Sequence, residues 1–142
     1  MVNRPVLLRR LQALEQYLGR LERLASTPLD RYLENDTLQA ACERWLHLAA
    51  ESVLDVANHV IASRGLPPPE GYADTFRVLC DAGVLEPGLS SRLAAFARLR
   101  NILVHDYLRI DSKLIHASVA EGLKDLREFG RIVASMLEEA ES

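Results

Sequence analysis

Apolar residues recur along this chain at spacings of three and four. Leu7, Leu11, Leu14, Leu18 and Leu21 fall at intervals of 4, 3, 4 and 3, which lines them along one side of a 3.6-residue helix. The spacing predicts a helix from about Asn3 to Ser26. Pro5 sits near its start, where a missing N–H costs little, and Pro28 ends it. A second stripe runs from Leu38 through Trp45 and Ser52 to Val60 and predicts a helix from Thr37 to Arg64. Asp36 with Gln39 reads as its capping box and Gly65 closes it. A third stripe runs from Ile115 through Gly122 and Phe129 to Met136 and predicts a helix from Ser112 to Glu139, with Asp111 as N-cap.

Between the second and third stripes the pattern shortens. "GLPPPEG" is a stiff loop that cannot be helical inside. A short helix follows, from about Tyr72 to Ala82, with Gly83 just past its end. The next helix starts near Pro87, carries Leu89, Leu93 and Phe96, and ends inside "RNILVHDY", Arg100 to Tyr107. The best candidate strand is "ILV", which is too short to count. The pattern therefore predicts an all-α bundle of four long helices and one short one, a single domain over residues 1–142. The sustained 3.5-residue spacing also suits a coiled-coil-like dimer, and intramolecular packing would use the same stripes equally well.

Composition narrows this picture. Hydrophobic residues make up 49% of the chain and aromatics only 6%, so the core is built mainly from Leu, Val, Ile and Ala, and disorder is excluded. The net charge of −3 does not suit whole-molecule attraction to nucleic acid, which would need a local patch. From Ser90 to Ile110, four arginines (Arg92, Arg98, Arg100 and Arg109) stand against one acid, Asp106. That stretch is +3 and the remainder −6. Cys42 and Cys80 have no ligand spacing and sit among apolar residues, so reduced thiols in a cytoplasmic protein are expected. No apolar run is long enough for a signal peptide or a membrane span.

"RNILVHDY" concentrates the candidate chemistry. Arg binds phosphate in a bidentate fork, and His passes protons near neutral pH. Together they suit cleavage of RNA without a metal. The residues would equally suit an Arg–carboxylate pair and a His at a helix C-terminus. Five residues turn a helix by about 500°, or about 140° net, so Arg100 and His105 meet only through a kink, a helix end or an interface. A second row, Glu43, His47, Glu51, Asp55 and His59, recurs every four residues. No other helix repeats it, so a solvated face accounts for it better than a di-metal site. His116 has no partner in sequence and is placed at the surface or boundary.

"RNILVHDY" resembles the signature of the HepT-type toxins, a branch of the HEPN superfamily. "VLDVANHVIASRGLPPPEGYADTFRVLCDAGVL" resembles that family's second and third helices. The resemblance covers roughly Leu38 to Leu126. It implies a HEPN-like bundle acting as a metal-independent, cofactor-free endoribonuclease on tRNA or mRNA. Its site would be assembled in a homodimer from Arg100 and His105, with Asn101 and Asp55 in support and Arg98 and Arg109 binding RNA. It also implies a cognate MntA-like nucleotidyltransferase antitoxin that silences the enzyme by AMPylating Tyr107, as in a type VII toxin–antitoxin system. A non-catalytic helical partner that binds substrate for such a nucleotidyltransferase is the competing reading.

Overall fold

The computed structural model describes residues 3–139, with the Tyr107 side chain outside the described part. Its helices are α1 (Arg4–Ala25), α2 (Leu29–Leu33), α3 (Asp36–Ser63), α4 (Asp74–Asp81), α5 (Pro87–His105) and α6 (Ser112–Glu139). A 3₁₀ turn at Tyr107–Arg109 lies between α5 and α6. The fold is all-α, and the four long helices and the Pro87 start are where the apolar pattern predicts them. The short α2 is an addition. Its five residues span little more than a turn, too few to show a period.

Helix α3 packs against all five other helices. That position explains its composition. Leu46, Val53, Leu54 and Ile61 are buried beside the predicted stripe, so α3 is apolar over a wide face, as a central helix must be. Helix α1 packs with α6 and α4 with α5, each also against α3, and α5 also touches α6. Phe76 of α4 meets Phe129 of α6 edge to face, with ring centroids 6.3 Å apart. The stripes of α1 and α6 are spent on this shared core, so they do not form a coiled-coil seam with a second chain.

Local signals fix the ends. Asn3 caps α1 by accepting from the Val6 N–H at 3.3 Å, and the Asn3 N–H donates to His59 Nε2 at 3.1 Å. The cap of α3 is Asn35, which accepts from the Leu38 N–H at 2.9 Å; Asp36 is already the first helical residue. Gln39 does not complete a capping box. Its amide instead donates to the Tyr32 and Leu33 carbonyls at 2.9 and 3.1 Å, satisfying the C-terminal end of α2. Asp111 caps α6, accepting from the Lys113 N–H at 3.0 Å.

Gly65 (φ +63°) and Gly83 (φ +79°) end α3 and α4 in the left-handed conformation. In each case the next residue's N–H reaches back to a helix carbonyl, Leu66 to Ile61 at 3.0 Å and Val84 to Leu79 at 2.9 Å, closing a Schellman motif. The short helix α4 begins at Asp74, two residues later than the pattern suggests. No described helix is long and apolar enough to cross a membrane.

Candidate active site

Helix α5 carries the Arg-x4-His segment. Arg100 continues the buried line of Leu89 and Leu93 and is only 8% exposed. A buried guanidinium needs partners for its charge and its donors. Arg100 Nε donates to Glu51 Oε1 on α3, and Nη1 donates to Asn101 Oδ1 at 3.2 Å. The ring of Tyr72, in the loop before α4, lies over the guanidinium with its centroid 4.5 Å from Cζ, a cation–π contact. Arg100 is thus held by a carboxylate, an amide and an aromatic face from three parts of the chain.

His105 is the last residue of α5 and is exposed. The helix runs unbroken from Pro87 to His105, and the hydrogen bonds and ion pairs of Arg100 go to Glu51 and Asn101, not to His105. Beyond it the Asp106 N–H returns to the Ile102 carbonyl at 3.0 Å, and the Arg109 N–H to the Asp106 carbonyl at 2.9 Å. This tight turn carries Tyr107. The side chain of Tyr107, the expected modification site, lies outside the described residues.

The supporting residues fall differently from expectation. Asn101 does contact Arg100. Asp55 does not; it is half exposed and pairs with Arg10 of α1 at 3.5 Å. The acid at Arg100 is Glu51, one helical turn earlier. Its place in the repeating acidic row pointed to solvent, yet its carboxylate is drawn inward by the buried cation. His47, in the same row, approaches Glu51 Oε1 at 3.5 Å and is only 25% exposed. The row therefore meets Arg100 at Glu51, with His47 beside it, while Asp55 is exposed and Glu43 and His59 are half-buried, His59 accepting from the Asn3 N–H. The sequence signal for Glu51 was Arg100 itself, an arginine on an apolar line that required a carboxylate from a facing helix.

Of the remaining arginines, Arg98 is exposed and borders a groove of about 360 Å³ between α5 and α6, floored by Phe96, Leu99 and Ile102. Arg109 is exposed and pairs with Asp106 at 3.3 Å. Arg92 pairs with Asp125 at 3.0 Å. The patch is basic in sequence, but three of its four arginines, Arg92, Arg100 and Arg109, are paired with acids.

Elsewhere, His116 is not a free surface group. Its Nε2–H donates to the Thr27 carbonyl at 2.7 Å and its ring lies against Tyr32. Both cysteines are free, Cys42 buried and Cys80 half-buried. Burial pushes the Cys42 thiol up from its ordinary value. Among the described residues no three His, Cys, Asp or Glu side chains converge as a metal site.

An all-helical bundle with a buried, carboxylate-held Arg five residues before a helix-terminal His defines a HEPN-like protein. Residues 14–133 match the family "Ribonuclease HepT-like", and the chain belongs to that family. It is 28% identical over 131 residues to the tRNA nuclease HepT of Aphanizomenon flos-aquae, covering 90% of this chain and 87% of that protein. It is 29% identical over 99 residues to the mRNA nuclease HepT of Shewanella oneidensis, covering 70% and 74%. Its backbone superposes with a TM-score of 0.84, at 23% identity, on the tri-AMPylated HEPN toxin of Shewanella oneidensis solved in complex with an MNT antitoxin. That match covers 92% of this chain and 97% of the other.

Proposed function

We propose that this protein is the toxin of a HepT/MntA-type toxin–antitoxin pair, a metal-independent endoribonuclease acting on tRNA or mRNA. The observation that carries the reading is the state of Arg100. A permanent cation is held in one orientation by Glu51 and Asn101, five residues before an exposed His105, in a chain of a ribonuclease family. His105 draws the proton from the ribose 2′-OH, whose oxygen attacks phosphorus. Arg100 stabilises the extra negative charge of the phosphorane-like transition state. Protonated His105 can return the proton to the departing 5′-oxygen.

Arg100 and His105 meet across a homodimer in this proposal. Support comes from the apolar character of the surface beside them. Leu108, in the turn after His105, is 86% exposed, and Leu114, which lines the groove between α5 and α6, is 53% exposed. Exposed leucines at this density suit a covered face. Arg98 and Arg109 then flank the site as phosphate contacts. Purified protein should cleave RNA in excess EDTA, and Arg100→Ala and His105→Ala should each lower the rate by at least about 100-fold while circular dichroism stays helical. Loss of cleavage on chelation, or wild-type rates in both variants, contradicts the proposal. An intact wild type that leaves RNA uncut favours the role of substrate-binding partner.

Silencing is proposed to act through Tyr107, whose phenol oxygen attacks the α-phosphate of ATP held by an MntA-like nucleotidyltransferase, breaking the bond to the β-phosphate so that pyrophosphate leaves and the phenol proton is lost to solvent. Each added AMP brings negative charge and bulk beside a phosphate-binding site and opposes RNA. Co-expression with the cognate antitoxin should add increments of about 329 Da to the peptide containing Tyr107. An unmodified Tyr107 in a neutralised complex would point to blocking by direct binding.

A further inference from the structure

The carboxylate that holds Arg100 has a second claimant. Glu51 Oε1 accepts from Arg100 Nε and also lies 3.5 Å from His47 Nε2, four residues back on α3. On its other side His47 Nδ1 is 3.4 Å from Arg44 Nη1. The groups facing the imidazole are therefore Glu51 and Arg44 from α3 and, through Glu51, Arg100 from α5. Tyr72 covers the guanidinium from the α4 loop. His47 is a quarter exposed, so protons reach it from solvent.

We infer that His47 is a positioning residue that sets, through Glu51, how much of the Arg100 charge is available to an RNA phosphate. This rests on the ribonuclease reading above and deepens it. With His47 neutral, the Glu51 carboxylate is matched to Arg100 alone. The pair is close to electrically neutral, and an incoming phosphate gains little from it. With His47 protonated, the same carboxylate serves two cations. The cluster carries a net positive charge, and Arg100 offers its outward N–H groups to phosphate against weaker competition. RNA affinity rises as pH falls through the imidazole range, separately from any proton transfer by His105.

The test uses full-length protein carrying His105→Ala, so that RNA stays intact, and a fluorescein-labelled single-stranded RNA read by anisotropy between about pH 5.5 and 8. The added charge is expected to tighten Kd about fivefold toward the acid end, the scale for one unit charge within about 8–10 Å of a partly exposed phosphate. Adding His47→Gln should flatten that slope and hold Kd near its alkaline value. Adding His47→Lys should hold Kd near its acid value throughout.

A slope unchanged by His47→Gln overturns the inference. So does a lysine variant that behaves like the glutamine variant, or a parent protein whose affinity does not vary with pH. Absence of RNA cleavage by wild-type protein strikes the ribonuclease reading instead, and leaves the comparison of Kd values intact.

Discussion

Arg100 is an arginine on a line of leucines, and its neighbours follow from that fact. A buried guanidinium without a counter-charge would cost several kcal/mol, so the fold supplies Glu51, Asn101 and the Tyr72 ring. The need for a carboxylate was legible in the sequence; its identity was not. Glu51 and Asp55 sit one turn apart on α3, and the choice between them depends on how α3 and α5 are set against each other, which no spacing within one helix encodes. Asp55 is taken by Arg10. Glu51→Gln keeps shape and removes charge. It should destabilise the protein by about 1–2 kcal/mol, less than a fully buried pair because Glu51 is a third exposed, and it should weaken RNA cleavage more than Asp55→Asn does. Urea unfolding and initial rates check the two halves; equal effects of the two substitutions would return Asp55 to the site.

At the scale of elements, the long helices were legible because each carries one apolar stripe over many turns. What escaped is either short or set by contacts between helices. Helices α5 and α6 meet at Gly122, where an added Cβ would run into the Phe96 ring. Gly122→Ala should therefore cost about 1–3 kcal/mol by overpacking, despite alanine's better helix propensity, and adding Phe96→Leu should recover much of it. A thermal melt of the single variant at or above wild type would contradict this packing.

Helix α2 is docked through Tyr32, whose ring is buried against His116. Its hydroxyl lies beside the Cys42 thiol without a well-formed hydrogen bond. Burial, then the Cys42 thiol, raises the Tyr32 phenol above its ordinary value of 10.0, and burial raises Cys42 above 9.0. The fold thus favours both neutral forms. Their contribution is intact below pH 9 and is lost as pH rises past these values. Tyr32→Phe should raise stability by about 1 kcal/mol at pH 7 and lose less than wild type between about pH 9 and 11. Chemical unfolding at both pH values reads both effects, and a destabilised Phe variant would show that the hydroxyl has a partner.

The whole molecule buries its helical stripes in one core around α3, yet keeps Arg100 and His105 apart. Helix geometry made that separation readable from five residues of sequence, and the unbroken run of α5 to His105 agrees with it. The proposed resolution is a twofold dimer in which Arg100 of one protomer works with His105 of its partner, covering Leu108, Leu114 and the groove between α5 and α6. The partner itself was not legible from periodicity, because the heptad-like stripes that suggested a dimer turn inward.

Mixing inactive variants tests the shared site most directly. Arg100→Ala and His105→Ala proteins are unfolded together, refolded to exchange subunits, and assayed for RNA cleavage. In a mixed dimer one composite site carries both substitutions and the other carries neither. Random exchange makes about half the dimers mixed, so the mixture should regain about a quarter of wild-type activity. A mixture as inactive as its two components, with exchange verified by mass, would contradict the account.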